Sequence, residues 1–314
     1  MRDYELSFFC EVLLALPKFE GMKSVWEYIT RNDFDQHLAW AWIEDMGQGH
    51  ASGDHTSLAC FDSDQRGRAD LKSKAHGIFA GQEIAAAVIQ YCAADIQIEW
   101  HISDGDRLTP GDLLMTAEGP FTALLSAERT LLNYLQRLSG IASRSAQWTA
   151  LLEGYPCQLL DTRKTTPGWR GLEKWAVQAG GAGNHRMGLY DYIMIKDNHI
   201  DFLGGIAPAV HRCQSYLALH GLALGIEVEA RAMKDVEVAV QLEAVDRIML
   251  DNFSVEACRE AVKFISGRKE TEASGGITET DIVAYAQTGV DFISMGALTH
   301  SVQNVDLHFK ARQH

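Results

Sequence analysis

The sequence predicts an α/β protein in which a small antiparallel sheet with helices on one face precedes a β/α barrel. In the second half of the chain, six short apolar runs each end in a polar residue or a glycine, at spacings of 35, 33, 22, 23 and 22 residues. Such spacings fit one strand, one helix and two loops, and this alternation predicts a parallel sheet. The runs end at Asp161, Lys196, Glu229, Asp251, Ser274 and Gly296. Polar groups at six strand ends favour a closed barrel, and an open doubly wound sheet is the alternative, although no GxGxxG sequence opens a helix after a strand.

The N-terminal third has the pattern of a mixed helix and strand domain. Alternation of apolar and polar residues predicts strands, and an apolar face at helical spacing predicts helices. The predicted strands cover 69–75, 96–102 and 113–117, and the predicted helices cover 33–45 and 78–91. The glycine-rich segment 47–57 is predicted to be a loop.

The next helix, from Leu124 to Leu138, is apolar on more than one face. This predicts that it is buried or lies in an interface, and Arg129 lies within it. Beyond it, amphipathic stretches alternate with the apolar runs and are predicted to be the outer helices of the barrel. These stretches cover 203–219, 232–242, 255–265 and 282–286.

The composition is that of an ordinary globular protein. Of the 314 residues, 46% are hydrophobic and 22% are charged, which excludes disorder, collagen-like repeats and a coiled coil. No apolar run approaches the roughly 18 residues that a membrane span requires. The six cysteines are scattered, as expected in a reducing compartment, and the net charge of −14 argues against nucleic-acid and membrane partners. We therefore expect a cytoplasmic protein.

Positive charge is concentrated in one segment of this acidic chain. Residues 161–200 contain six Lys or Arg residues and four Asp or Glu residues, a net charge of +2. In a barrel these cations converge with the carboxylates of Glu229 and Asp251 at the strand ends. Clustered cations suit a substrate with several phosphates or carboxylates, and paired carboxylates suit Mg²⁺ or a developing positive charge.

Glycines near two late strand ends predict a phosphate-binding element. Ser274-Gly275-Gly276 and Gly296-Ala297 each follow a strand, at the position where barrels often bind phosphate through backbone amides. His185 and Arg186 follow the glycine-rich segment 180–184, which we expect to close over a ligand.

Each of these residues also has a structural interpretation when it is taken singly. The Arg163-Lys164 pair can be solvated surface charge, and Glu229 or Asp251 can cap the helix that follows it. Compatible groups at six strand ends together favour a ligand site. Lys196 can also be the nucleophile of a Schiff-base aldolase, and an inactive ligand-binding protein is the non-enzyme alternative.

Several longer segments occur in a characteristic order along the chain. They are Asp161-Thr-Arg-Lys-Thr-Thr-Pro-Gly168, Asn184-His-Arg-Met-Gly-Leu-Tyr-Asp191, Ile195-Lys-Asp-Asn-His199, Glu128-Arg-Thr-Leu-Leu-Asn133, Glu227-Val-Glu229, Leu250-Asp-Asn-Phe253, Ser274-Gly-Gly276 and Gly296-Ala-Leu-Thr-His300. In sequence order they span most of the C-terminal part. With them the chain resembles the quinolinate phosphoribosyltransferase family, also called nicotinate-nucleotide pyrophosphorylase (carboxylating).

The resemblance implies an architecture and a reaction. It implies an N-terminal α/β open-faced sandwich over residues 1–128 and a C-terminal α/β barrel phosphoribosyltransferase domain over 129–314, in a head-to-tail homodimer. It also implies that quinolinate and phosphoribosyl pyrophosphate react with Mg²⁺ to give nicotinate mononucleotide, pyrophosphate and CO2, in de novo NAD biosynthesis. A paralogous phosphoribosyltransferase acting on another aromatic acid is the alternative.

The resemblance further implies roles for individual residues. The quinolinate carboxylates would be held by Arg163, His185, Arg186 and Lys196, with Arg129 contributed by the partner subunit. The catalytic residues would be Lys164, Glu229 and Asp251, of which Glu229 and Asp251 would also be the Mg²⁺ ligands. Substrate binding would also use Thr162, and the 5-phosphate would be bound by Ser274, Gly275, Gly276 and Gly296.

Two features depart from the family pattern. Residues 1–29 are longer than expected before the first domain, and residues 48–52 are extra loop residues before the Gly53-Asp54-His55-Thr56-Ser57 segment. Both lie outside the predicted barrel site, so they bear on assembly or regulation rather than on chemistry.

Overall fold

Two compact units make up the chain in a computed structural model that describes residues 23–312. Residues 1–22, most of the N-terminal extension, lie outside the described residues. Within the described residues, the first unit holds 23–147, 166–181 and 298–312, and the second unit holds 148–165 and 182–297. The units therefore interleave along the sequence. A domain boundary at 128/129 remains a prediction.

The described part contains both helices and strands in chain order. The helices are α1 Arg31–Met46, α2 His55–Cys60, α3 Gln82–Cys92, α4 Phe121–Ala150, α5 Arg170–Ala179, α6 Asp197–Leu203, α7 Ile206–His220, α8 Met233–Ala239, α9 Val255–Ile265, α10 Ile282–Ala286 and α11 Ala297–His300. The strands are β1 Arg66–Ser73, β2 Gly77–Ile78, β3 Gln97–Trp100, β4 Arg107–Leu108, β5 Leu113–Pro120, β6 Gln158–Leu160, β7 Ile193–Ile195, β8 Ile226–Ala230, β9 Arg247–Asp251, β10 Glu270–Ser274, β11 Phe292–Ser294 and β12 Leu307–Ala311.

The first unit is built on an antiparallel sheet of four strands in the order β12-β1-β5-β3. The predicted N-terminal strands correspond to β1, β3 and β5, so the antiparallel sheet is confirmed. The edge strand β12 comes from the end of the chain and pairs Phe309 with Leu71 of β1. Because its partner strand β1 lies far away in sequence, no local pattern in the sequence predicts this strand.

The helices of the first unit begin where side chains satisfy their free backbone amides. Thr30 accepts a hydrogen bond from the Asp33 amide at 3.1 Å and so caps α1, whose Phe34 and Leu38 are buried. Helix α3 begins after the predicted position 78, because Gly77–Ile78 instead pairs with β4. Part of the predicted loop 47–57 is helical, since Asp54 caps α2 by accepting from the Ser57 amide at 3.0 Å.

Helix α4 runs for 30 residues and is buried along much of its length, as its apolar pattern predicted. It contacts α5 so closely that a Cβ on Gly180, just after α5, would lie 2.1 Å from the carbonyl oxygen of Ala142. A glycine is therefore required there. An ion pair reinforces the contact, because Arg137 Nε donates to Oε1 of the fully buried Glu173 at 2.9 Å.

The second unit is a parallel sheet of six strands in the order β6-β11-β10-β9-β8-β7. All six apolar runs of the sequence form these strands, and α6 to α10 lie between them along the chain. The two end strands, β6 and β7, follow each other in sequence, so the strand order is the cyclic order of an α/β barrel. This confirms the predicted α/β fold class. One face of this sheet is apolar and buried, with Val228, Ile248 and Ile293 at 0% exposure.

The seam of this cyclic sheet lies between β6 and β7. Gly183 forms an isolated parallel bridge with Leu160 of β6, and its amide donates to the Leu159 carbonyl at 2.8 Å. Residues 184–192 then connect this bridge to β7. Within the part of the chain that the structure describes, no helix is both long and apolar enough to span a membrane.

Candidate active site

A cavity of about 320 Å³ lies within the second unit at the carboxyl ends of the parallel strands. The two-residue period of a strand explains its lining, because alternate side chains of a strand face the same side. Met194 and Lys196 line it from β7 and the position after it, and Met249 and Asp251 line it from β9. The full lining is Thr162, Arg163, Lys164, His185, Arg186, Met194, Lys196, Met249, Asp251, Ser274, Gly275 and Ser294.

Most of the predicted site residues come together in this cavity. Those that line it are Thr162, Arg163, Lys164, His185, Arg186, Lys196, Asp251, Ser274 and Gly275. Glu229 adjoins it through an ion pair with Lys196, whereas Gly276 and Gly296 are not part of the lining. Arg129 lines a different cavity, of about 430 Å³, within the first unit.

The cationic wall of the cavity, formed by Arg163, Arg186 and Lys196, contains an unsatisfied hydrogen-bond donor. Arg163 Nε is buried and has no hydrogen-bond partner among the described residues. Burial, together with the charge of Arg163, lowers the pKa of Arg186. Arg186 is fixed on one side, since its Nη1 donates to the Tyr192 carbonyl at 2.9 Å. Two guanidinium groups that repel each other around an open donor form a site for an anionic ligand.

The acidic wall consists of two carboxylates on neighbouring strands. Lys196 Nζ lies 2.5 Å from Glu229 Oε2, and Asn252 Nδ2 donates to Asp251 Oδ2 at 2.7 Å. Burial, and then the negative charge of Glu229, raise the pKa of Asp251. Oxygen donors that repel each other in this way fit a hard divalent cation such as Mg²⁺, which would neutralise that repulsion.

The turn after β10 brings backbone unusually close to a neighbouring strand end. Gly275 has φ +93°, and a Cβ on it would lie 2.4 Å from Asn252 Oδ1. Asn252 itself has φ 55°, and its amide donates to the Ser274 carbonyl at 2.8 Å. Ser274 Oγ also accepts from Ser294 Oγ at 2.9 Å. Only glycine fits this turn, which leaves exposed backbone beside the cavity for an oxyanion.

The segment that carries His185 and Arg186 is anchored rather than open. The Asp161 carboxylate accepts from the His185 amide at 2.8 Å and from Asn184 Nδ2 at 2.7 Å. Asp191 accepts from the Met187 amide at 2.6 Å. We expected the preceding glycines to let this segment close over a ligand, but these carboxylates hold it in place at the seam.

Sequence reasoning missed the residues that lie one strand period below the predicted ones. Glu227 precedes Glu229 by two residues and Glu272 precedes Ser274 by two, and both acids are fully buried. Met194, Met249 and Ser294 were likewise missed among the lining residues. The alternation of side chains along a strand was the available signal, because it places residues i and i−2 on the same face.

Comparison with known proteins identifies the family. Models of the N-terminal and C-terminal domains of quinolinate phosphoribosyl transferase match residues 54–139 and 141–310. The chain belongs to the quinolinate phosphoribosyltransferase family. Both halves of the family pattern are present in their expected order, so the resemblance drawn from the motifs is confirmed.

The curated relatives agree over most of their length. The chain is 43% identical to a probable nicotinate-nucleotide pyrophosphorylase [carboxylating] of Bacillus subtilis over 265 residues, which is 84% of this chain and 89% of that protein. It is 39% identical to the chloroplastic nicotinate-nucleotide pyrophosphorylase [carboxylating] of Arabidopsis thaliana, over 88% of this chain and 82% of that protein. The crystal structure of NadC from Streptococcus pyogenes superimposes with a TM-score of 0.84 at 36% identity, over 91% of this chain and 99% of that chain.

Proposed function

We propose that this chain is a decarboxylating phosphoribosyltransferase of de novo NAD biosynthesis. It would convert quinolinate and phosphoribosyl pyrophosphate to nicotinate mononucleotide, pyrophosphate and CO2. The observation that supports this best is the single cavity that combines an unpaired buried Arg163 donor with the Asp251 carboxylate and the Gly275 turn. Family membership supports the same reaction, since relatives that match most of this chain carry that name.

The cationic wall suits the aromatic diacid. Arg163, Arg186 and Lys196 would hold the two ring carboxylates, because guanidinium groups bind carboxylates through paired hydrogen bonds. His185 lines the same wall. Arg129 does not line this cavity, and we propose that it reaches the site of the partner subunit in a homodimer.

The remaining walls suit phosphoribosyl pyrophosphate. Lys164 and Thr162 would contact the pyrophosphate end, and the turn of Ser274, Gly275 and Gly276 would receive the 5-phosphate, with Gly296 next to it in the family pattern. Glu229 and Asp251 would hold Mg²⁺, which supplies neutralisation of the pyrophosphate charge. Their carboxylates would also stabilise the positive charge that develops on the ribose carbon.

The reaction requires positioning more than proton transfer. The lone pair of the pyridine nitrogen forms a bond to C1 of the ribose, while pyrophosphate leaves with the bonding pair. The resulting pyridinium accepts electron density as the carboxylate next to the nitrogen leaves as CO2, and the ring carbon then takes up a proton. Arg163 and Arg186 fix the diacid in the orientation that directs the nitrogen to the ribose.

An assay with quinolinate, phosphoribosyl pyrophosphate and Mg²⁺ tests the proposal. We expect nicotinate mononucleotide, pyrophosphate and CO2 in equal amounts, and no turnover when a chelator removes Mg²⁺. An Asp251→Asn variant is the matched negative control. Turnover of a different aromatic acid with no turnover of quinolinate would instead indicate the paralogous phosphoribosyltransferase. Borohydride trapping of a carbonyl substrate on Lys196 would support the aldolase, which the Lys196–Glu229 ion pair disfavours.

The Gly275 turn gives a prediction with a built-in control. A Cβ on Gly275 would meet Asn252 at 2.4 Å, whereas a Cβ on Gly276 would meet nothing within 4 Å, although both residues have positive φ. We therefore expect Gly275→Ala to raise the KM for phosphoribosyl pyrophosphate by about tenfold or more and Gly276→Ala to raise it less. Equal effects of the two substitutions in steady-state kinetics would show that backbone strain alone, and not the close contact with Asn252, matters.

We also propose a cytoplasmic location. The scattered cysteines support a reducing compartment, and the five in the described part are all free thiols. Curated relatives carry mitochondrial or chloroplastic names in plants, so cell fractionation of the source organism is the direct test.

A further inference from the structure

A buried cluster of His185, Glu227 and Glu272 lies beneath the cationic wall of the cavity. His185 Nε2 lies 3.1 Å from Glu227 Oε2 and 3.4 Å from Glu272 Oε2. Both carboxylates are at 0% exposure, and His185 is at 9%. Apart from His185, the Glu227 oxygens have no hydrogen-bond partner among the described residues. Glu227 thus faces the imidazole, whereas Glu272 also pairs with Arg247.

The other ring nitrogen of His185 faces Arg186. The Arg186 amide donates to His185 Nδ1 at 2.7 Å, which places the ring proton on Nε2, toward the two acids. The ring is therefore held at both ends, by carboxylates on one side and by the backbone of Arg186 on the other. The Arg186 guanidinium is tied separately to the Tyr192 carbonyl. A rigid connection runs from the buried acids to the residue that we assign to a quinolinate carboxylate.

A cation lies against the acid pair on its other side. Arg247 Nη1 lies 3.0 Å from Glu272 Oε2, and the Arg247 guanidinium lies 3.8 Å from the centre of the Phe292 ring. Buried carboxylates need such partners, because burial of an unpaired charge is costly. Glu272 is therefore held by Arg247 as well as by His185, whereas Glu227 is held through His185.

We propose that Glu227 and Glu272 are positioning residues for the diacid, which act through His185 to fix Arg186 beside Arg163. The acids touch no substrate in this assignment, and their contribution is the orientation of the cationic wall. This inference rests on the proposed function for the identity of the diacid, which is quinolinate. The contacts among Glu227, Glu272, His185 and Arg186 do not depend on that function. A loosened ring would release the Arg186 backbone and weaken binding of the diacid, while the walls around phosphoribosyl pyrophosphate stay as they are.

The kinetic test uses Glu227→Gln and Glu272→Gln, with Glu270→Gln as the matched control. Glu270 lies on the same strand as Glu272 and pairs with Arg247 at 2.9 Å, but its side chain is 52% exposed and it has no contact with His185 among those described. We expect each of the two buried variants to raise the KM for quinolinate by about tenfold with the KM for phosphoribosyl pyrophosphate within about twofold, and the control to change neither. An equal rise in both KM values, or no rise in either, would overturn the proposal.

A spectroscopic test does not depend on turnover. In wild-type protein labelled with ¹⁵N-histidine, we expect the signal that disappears in His185→Gln to show a slowly exchanging proton on Nε2 and an unprotonated Nδ1. Glu227→Gln should shift this signal and, in uniformly ¹⁵N-labelled protein, the Arg186 amide signal, whereas Glu270→Gln should leave both unchanged. If quinolinate fails as a substrate but these shifts occur, the connection stands and only the proposed substrate is wrong.

Two outcomes of the spectroscopic test would contradict the proposal. A ring proton on Nδ1 in the wild-type protein would mean that Nδ1 does not accept the Arg186 amide. This measurement uses the wild-type protein, so it does not depend on whether any variant folds. The three ligand atoms of the cluster also lie within 4.8 Å of one another, a spacing that suits a metal ion. Stoichiometric metal in the purified protein, with a His185 signal that moves when a chelator removes it, would show that the cluster binds a metal ion in place of the Nε2 proton.

Discussion

Lys164→Ala is expected to lower kcat/KM for phosphoribosyl pyrophosphate by about 100-fold or more, the scale on which a lost charge contact to a transition state is measured. Lys164 follows Thr162 and Arg163 at the end of β6 and lines the cavity with Asp251 and the Gly275 turn. As pyrophosphate departs, negative charge accumulates on its oxygens. On the proposed assignment, the Lys164 ammonium group would stabilise that charge more in the transition state than in the ground state, so its loss should lower kcat as well as kcat/KM.

Initial-rate kinetics with phosphoribosyl pyrophosphate as the varied substrate measure this effect. Lys234→Ala is the charge-matched control, because Lys234 is exposed on α8 of the same unit and does not line the cavity. The control should retain the kinetics of the wild-type protein. Values of kcat/KM for Lys164→Ala close to those of the wild type would remove Lys164 from the proposed machinery.

Mixing Arg129→Ala with Lys164→Ala is expected to restore activity that neither variant has alone. Arg129 lies on α4 and lines the cavity of the first unit with Trp40, Glu44 and Asn133, not the cavity at the strand ends. If each site of a homodimer combines Lys164 of one protomer with Arg129 of its partner, every mixed dimer contains one intact site. Random exchange in an equal mixture then gives about a quarter of the wild-type activity.

The control for this experiment is a mixture of Lys164→Ala with Asp251→Asn. Both substitutions fall in the same cavity, so every mixed dimer has a defect in each site and activity should stay at background. Subunit exchange is verified by native mass spectrometry with one isotopically labelled variant. Background activity in the first mixture, with exchange demonstrated, would show that Arg129 does not act across the interface.

Local sequence patterns were sufficient for much of the parallel sheet. The apolar runs identified all six strands, and the helix predicted over 255–265 has the bounds of α9. Helix α6 was missed because only Lys196 separates its first residue, Asp197, from the strand that ends at Ile195. The sequence has no polar loop there that would indicate the start of a helix. Strand β12 was missed because it pairs with β1, which lies more than 200 residues earlier in the sequence, and no local pattern encodes such a contact.

The residues of the candidate site that follow the strands could be predicted from the sequence. The buried residues within the strands could not. Lys196, Asp251 and Ser274 were identified because polar residues that end apolar runs converge in a parallel sheet. Glu227 and Glu272 sit inside the apolar runs, and their role depends on a contact with His185 from another strand connection. Only the folded arrangement shows that contact.

The seam between β6 and β7 has a consequence for how the specificity of this barrel can change. Residues 184–192 cross it without ladder bonds to β7 in the described part of the chain, yet they carry both His185 and Arg186. Their backbone is held by the side chains of Asp161 and Asp191. Residues 184–192 could therefore be replaced by another sequence, with Asp161 and Asp191 kept, without changing any strand of the sheet. Such a replacement would be a way to change which acid the cavity binds.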